Sequence, residues 1–397
     1  ISILLILCFE LFVHPSLQFL KHGLGFDIIS SYLLRFNYIL VSFLGLLIIF
    51  LKMKIPNIFL IKIFLLFFVI AFLKGVFLGN YFNYSDSGSN IFISHIYYFI
   101  NPILAISLGY YTYNMFFKNK YYFSLFSKLL KFSFVFGFVL AFVFQISYKL
   151  GFASYNSLDI WNVFYGGSYM LSTSSSFLMS FIVILKSLLL GKRVTILIAL
   201  IFVVVYLFKN KLRKVLIYFI PLLFIIFALG SNEVINNIGG VSRLNATVES
   251  LNNNDIDGAS AGRLVEANSA LEIISSSNSN LLFGTGMGSF FYPWPEISST
   301  YTSHYTHFTP ISYMWIGGVF LTFFVYFFLI RLTISLFKIK KLKNLTQTSL
   351  FQFMLPAIII SSITGAVLMN NSILWMIIGM TYKLIEEEKL SRKLAIQ

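Results

Sequence analysis

The sequence predicts an all-α fold, a polytopic bundle of membrane-spanning helices, and three observations predict it. The 397 residues are 58% hydrophobic and only 11% charged, against roughly 45–50% and 25% in soluble domains. The mean hydropathy is +0.84. Apolar runs of about 20 residues, the length that crosses a bilayer as a helix, recur from the first residue to the last quarter of the chain. Such runs are about twice the length of a barrel strand and lack its alternation.

Taken in order, spans are expected near 2–20, 32–51, 57–79, 91–111, 129–150 and 168–190. Others follow near 194–208, 214–230, 309–332, 350–369 and 372–386. The total is about eleven (ten to twelve). The chain begins at Ile1, and its first run is read as a span and not as a signal peptide. Three segments result: eight spans over 1–230, a large hydrophilic loop over 231–308, and three spans with a short tail over 309–397.

Lysine and arginine in short loops mark the cytoplasmic side. Three clusters qualify: Lys118, Lys120, Lys128 and Lys131; then Lys209, Lys211, Arg213 and Lys214; then Arg331, Lys338, Lys340, Lys341 and Lys343. The second and third place the 231–308 loop outside, between the last-but-three and last-but-two spans, and return the C-terminus to the cytoplasm. The first cluster conflicts, because three spans separate it from Lys209. Either one of those three is re-entrant or a half-span lies near 151–167.

The 231–308 loop carries seven of the chain's fourteen acidic residues, Glu233, Glu249, Asp255, Asp257, Glu266, Glu272 and Glu296, against Arg243 and Arg263 and no lysine. It is acidic while the rest of the chain is strongly basic. The overall +15 therefore reflects cytoplasmic anchoring and not nucleic-acid binding. Within the loop, apolar residues at spacings of three and four predict a helix over 260–275 with Ser260 as its N-cap. The sequence NLLFGTGMG at 280–288 then predicts a glycine-rich turn. Tyr292, Trp294, between Pro293 and Pro295, and Tyr301 suit the membrane interface or a stacking surface for sugar rings.

Chemistry has few carriers. One cysteine, Cys8, excludes an intramolecular disulfide and a Cys-based metal site. Neither a Walker A sequence nor a dinucleotide fingerprint is present, so a nucleotide cofactor is not expected. His304 and His307 end the loop just before the ninth span, where a neutral imidazole can accept a hydroxyl proton. They are candidate bases or a pair of solvated loop histidines, and a base is preferred to a zinc site that lacks further ligands of a recognisable pattern. Arg193, after Gly191 and Lys192, either anchors its helix or faces an anion. Arg243 and Arg263 pair with loop carboxylates, Glu266 being within reach of Arg263 on one helix face, or bind a substrate. Arg35 and His95, in or near spans, are functional candidates or packed, hydrogen-bonded residues.

Four segments, AGRLVEANSALEII, LLFGTGMGSF, SHYTHFTPISYMWIGGVFLTFFVYFFL and the upstream LLLGKRVTILIAL, resemble in kind and order the signature of the O-antigen polymerase and O-antigen ligase superfamily. That signature has an Arg-led loop helix, a glycine turn, then a His before a span with a Gly-rich start, preceded by a "gKR" element. The resemblance covers about 185–332. It implies a metal-independent glycosyltransferase needing no cofactor, at the outer face of the bacterial inner membrane. Its substrates would be undecaprenyl-diphosphate-linked oligosaccharides, as donor and as acceptor. In that scheme a His takes the acceptor's proton, and arginines stabilise the departing diphosphate. The matching positions are Arg263 for the loop-helix arginine, Arg193 for the "gKR" arginine, and His307 or His304 for the base. Arg243 is the further diphosphate candidate in the loop. The usual His-Asn pair is replaced by His-Tyr and His-Phe, and His307, nearer the span, is preferred.

The resemblance implies a polymerase of O-antigen or capsule repeats, with a ligase to the lipid A core as the alternative. A chain-length regulator is the expected protein partner of a polymerase. A different class, a flippase or transporter of lipid-linked sugars, would place its charges near the membrane midplane and commonly shows repeat symmetry. No internal repeat is evident. Lys62, Lys74, Lys149 and Lys186 are the residues that would line such a path, or else snorkel to an interface.

Overall fold

The structure, a computed structural model, describes residues 6, 8–23, 31–85, 89–151, 162–173, 177–190, 193–209, 239–260, 262–293, 302–339, 345–365 and 367–394. Within these the fold is all-helical, with isolated β-bridges but no strand. The helices are α1 His14–Gln18, between two π-helical turns, α2 Ser31–Lys52, α3 Phe59–Phe77, α4 Ile91–Phe117, α5 Lys120–Lys149, α6 Asn162–Thr173, α7 Phe177–Leu190 and α8 Arg193–Lys209. They continue with α9 Gly239–Asn252, α10 Ile256–Ser260, α11 Arg263–Ser275, α12 Asn278–Phe283, α13 Thr309–Phe337, α14 Leu345–Thr364, α15 Val367–Asn370 and α16 Ser372–Leu394. Four of them, α3, α4, α5 and α13, are long and apolar enough to cross a membrane.

Most expected spans overlap helices, with instructive differences. The run at 129–150 starts nine residues earlier, because the Asn119 side chain accepts from the amides of Tyr121 and Tyr122 and opens α5 there. The run at 168–190 is helical over the end of α6 and the whole of α7, and 174–176 lie outside the described residues. The 214–230 run, Lys211, Arg213, Lys214, Trp294, Tyr301 and the Lys340 to Lys343 cluster lie outside the described residues.

The chain forms two compact units. In the first, Ile1–Leu40, Asn114–Asn253 and Lys341–Ala357, α5 to α8 pack through Phe164 on Phe202 and through Gly166, which admits the Phe134 side chain. Lys186 is fully buried there and donates to the Phe134 carbonyl at 2.8 Å, its ammonium 4.3 Å from that ring. The amine is satisfied inside the bundle by a carbonyl and a π face.

In the second unit, Val41–Tyr113, Asn254–Lys340 and Ile358–Gln397, Phe64 of α3 is the centre of an aromatic cluster. Phe99, Tyr313 and Trp375 lie 6.4, 5.9 and 5.4 Å from it, ring to ring. Small residues let α4 and α16 meet at their backbones: a Cβ on Gly109 would strike Met376, and one on Gly379 would strike Ile106. Asn101 Oδ1 accepts from Ser42 and Ser372 at 2.9 and 2.7 Å, tying α2, α4 and α16 in an otherwise apolar core.

Glycine also decides how the loop seats on this unit. The backbone of α13 turns non-helical at Gly318, with φ 75° and ψ −177°, so the Trp315 carbonyl is available to the loop. It accepts the Thr285 amide at 2.7 Å and the Thr285 hydroxyl at 2.8 Å. Gly284 (φ 78°) fits against Gly317, whose nitrogen would lie 2.5 Å from a Cβ added there, and a Cβ on Gly318 would strike Leu282. Both positions need positive φ and zero side-chain volume. Gly284→Ala and Gly318→Ala are each expected to destabilise the protein by about 1–3 kcal/mol, read as a lowered midpoint in thermal unfolding of the purified chain, whereas Gly79→Ala, with open space around it, shifts the midpoint less.

Candidate functional site

The site is built from α11, the glycine turn that follows α12, and the segment 302–308 before α13, all within the second unit. The expected 260–275 helix is present in two pieces, α10 and α11, because Gly262 takes φ 75° between them. The N-cap of α11 is Gly262 and not the expected Ser260, which ends α10 and whose hydroxyl accepts the Leu264 amide at 3.2 Å. Glu266, Ala267, Ala270 and Ile274 form the buried face of α11.

The expected turn is present, with Gly284, Gly286 and Gly288 all at positive φ. It is fastened on three helices. The Met287 amide donates to Ala71 O of α3 at 3.0 Å, and the Gly288 amide donates to His95 Nδ1 of α4 at 3.0 Å. Trp315 O of α13 takes Thr285. Lys74 of α3 adds a charged clasp, donating to Asn280 Oδ1 at 2.8 Å, Ser279 Oγ at 3.2 Å and Gly284 O at 2.6 Å. Its ammonium sits at the C-terminal end of α12, where the helix dipole favours a cation. Lys74 is thus a docking residue for the loop.

His95 is fully buried and uses both ring nitrogens. Nδ1 accepts from Gly288, so Nε2 carries the proton and donates to the His304 carbonyl at 3.0 Å. One neutral imidazole therefore joins the glycine turn to the histidine segment. His304 stacks with Tyr98, its Nε2 3.2 Å from the Tyr98 hydroxyl.

His307 is held differently. Its backbone amide and its ring Nδ1 both reach Glu266 Oε2, at 3.0 and 2.7 Å. Glu266 is 3% exposed, whereas the His307 side chain is 47% exposed. An ionised carboxylate only accepts, so Nδ1 donates and the neutral ring keeps its lone pair on Nε2. Among the described residues nothing bonds Nε2. The backbone around it is fixed by buried hydroxyls: Ser312 Oγ accepts the Thr306 amide at 2.9 Å and donates to the Thr306 carbonyl, and Thr309 Oγ1 donates to Gly365 O at 2.7 Å.

Arg263 lies one helical turn before Glu266 on α11. The simple pairing of the two is not what forms, since Glu266 is committed to His307, and Arg263 Nη1 donates to the Thr364 carbonyl at 3.0 Å. Burial pulls the Arg263 guanidinium below its usual pKa, and the Glu266 charge opposes that. The group stays cationic, and beyond the bond to Thr364 its fork has further N–H donors that can meet an anion.

The structure therefore brings together His307, Glu266 and Arg263, with His304 turned toward Tyr98 and His95. Arg193 opens α8 and Arg243 lies in α9, both in the first unit, and their side chains, like that of Arg35, lie outside the described residues. Glu266 as partner of His307, and the clasps by His95 and Lys74, were missed in sequence. For Glu266 a signal existed: it shares the stripe of Ala270 and Ile274, and a carboxylate on a buried face needs a partner. Comparison with protein-family models, with curated proteins and with solved structures gives no match.

Because Lys74 supplies three hydrogen bonds to the turn, Lys74→Met is expected to speed amide exchange across 278–288 by about tenfold or more, measured by hydrogen–deuterium exchange, with little change in the buried part of α4.

Proposed function

We propose that this chain is a metal-independent membrane glycosyltransferase that polymerises lipid-linked oligosaccharide repeats into a bacterial surface polysaccharide, O-antigen or capsule. In this reading it is a multi-pass protein of the inner membrane with about eleven spans. Its 231–308 loop is periplasmic and its C-terminus cytoplasmic. The substrates are two undecaprenyl-diphosphate-linked glycans, one as donor and one as acceptor, and a chain-length regulator is the natural protein partner.

The observation that carries the reading is the His307–Glu266 pair, in which Nε2 of an exposed imidazole has no bond among the described residues and Arg263 lies one helical turn before Glu266. His307 Nε2 takes the proton of the acceptor hydroxyl as that oxygen bonds to the donor's anomeric carbon. The bond from that carbon to the diphosphate oxygen breaks, and undecaprenyl diphosphate leaves with the bonding pair. Glu266 stabilises the imidazolium that forms, since one of its oxygens already faces Nδ1. Arg263, with Arg193 and Arg243 as the other candidates, offsets negative charge on the leaving diphosphate; a guanidinium fork suits that task. His304, engaged with Tyr98, is the weaker candidate for the base.

The test is the lipopolysaccharide or capsule ladder of a deletion strain complemented with variants at matched membrane abundance. His307→Ala is expected to cut chain growth by about 10²–10⁴-fold, the range for a lost general base. Glu266→Gln should cost about tenfold or more, from the lost charge-assisted bond. His304→Ala should cost less than His307→Ala, and Arg263→Lys should fail to restore wild-type length. Core plus a single repeat in the deletion strain fits a polymerase. Long chains left on the carrier lipid mean a ligase, and an unchanged ladder in every variant contradicts the catalytic assignment and favours a transporter.

A further inference from the structure

Far from the loop, the second unit holds a cavity of ≈ 150 Å³ among α3, α13 and α16. Its walls include Phe59, Phe327, Phe328 and Tyr382, and Arg331 and Lys389 line it as well. Tyr382 stacks on Phe328 with rings 6.1 Å apart.

Both basic residues are exposed, and neither makes an ion pair with a carboxylate among the described residues. Glu386, one helical turn beyond Tyr382 on α16, is the acidic residue nearest the cavity, and its carboxylate is already bonded. Glu386 takes Lys383 and the Tyr110 hydroxyl at 2.8 and 2.7 Å, and Glu387 lies 4.0 Å from Lys383. Tyr382, Ile385 and Lys389 share one stripe at spacings of three and four, with Glu386 at its edge. Glu386 is engaged by Lys383 and by Tyr110 of α4, and Lys389 lines the cavity.

Helix rise fixes the depth. Arg331 is 13 residues beyond the Gly318 break, about 20 Å along the second part of α13, and Lys389 is 17 beyond Ser372, about 26 Å along α16. Thr309 and Ser372 mark the ends nearest the loop site. Phe59 begins α3, whose other end holds the glycine turn through Ala71 and Lys74. All three helices therefore bring to the cavity their ends away from the loop site. From Arg331 toward the loop end of α13, Ile330, Phe323 and Phe320 are exposed and apolar.

We infer that this cavity is a binding site for an anionic phospholipid of the leaflet opposite the loop, its phosphate between Arg331 and Lys389 and an acyl chain along the exposed face of α13. The charge complements an anionic headgroup, the volume suits a phosphate and not an oligosaccharide, and the apolar strip runs in the direction an acyl chain takes. The inference is independent of the chemistry assigned to the loop.

Its test uses the purified full chain in zwitterionic detergent, titrated with phosphatidylglycerol or phosphatidylcholine and followed by native mass spectrometry. Phosphatidylglycerol should be retained in preference. Arg331→Ala and Lys389→Ala should each weaken its binding about fivefold, and the pair together about 25-fold, from roughly 1 kcal/mol per basic residue at a lipid surface. Lys338→Ala, a basic change outside the cavity, should leave it unaltered, which separates the site from general attraction. Equal retention of both lipids, or an unaffected double variant that unfolds like wild type, would overturn the inference. Displacement of the lipid by an equal concentration of inorganic phosphate would overturn it too, since the occupant would then be a soluble anion.

Discussion

The backbone-to-backbone approach of the glycine turn to α13 governs everything built on the second unit. Gly284 meets Gly317, and Gly318 meets Leu282, at separations that no Cβ tolerates. Only because Gly318 breaks the helix is the carbonyl of Trp315 available to hold Thr285. A hydrophilic loop is thereby tied to apolar helices by its main chain, which satisfies backbone groups that would otherwise be buried without partners. Lys74 and His95 add side-chain clasps from α3 and α4. The turn thus becomes a rigid floor, and the histidine segment is attached to it through His95.

The chemistry follows from that rigidity. A histidine on a mobile loop samples many orientations, whereas His307 is fixed twice by one carboxylate oxygen and its flanking threonines are bonded inside the protein. The expensive element is Glu266, a carboxylate on a buried helix face. Its two bonds to His307 offset the cost of burial, and the same bonds set the tautomer that leaves Nε2 as an acceptor. His95 and His307 illustrate the contrast between two imidazoles in one site. The first spends both nitrogens on structure, and the second spends one and presents the other.

Much of this was legible in sequence. The spacing of Leu264, Ala267, Ala270, Leu271 and Ile274 specified the loop helix, and three glycines in five residues specified a turn with positive φ. The long apolar runs specified helices. Less visible was what depends on tertiary partners. A glutamate three residues from an arginine suggests a local pair, yet the carboxylate faces inward and takes a histidine 41 residues away. Lys74 looks like an interfacial lysine until the loop is seen to cover it. The motifs before and around the glycine turn pointed to the family resemblance, and only the fold shows that Glu266 bonds His307 while His304 lies against Tyr98.

The most direct test of the central claim, that His307 oriented by Glu266 is the base of a glycosyl transfer, is a reconstituted reaction. The purified full chain would be mixed with a synthetic undecaprenyl-diphosphate repeat in the presence of a metal chelator, and lipid-linked products would be counted by mass spectrometry across a pH series. The account predicts a dimer and longer products for the wild type, loss of them in His307→Ala, and in Glu266→Gln a lower rate with an altered pH profile. Equal product formation by the wild type and His307→Ala, at equal folded protein, would contradict it.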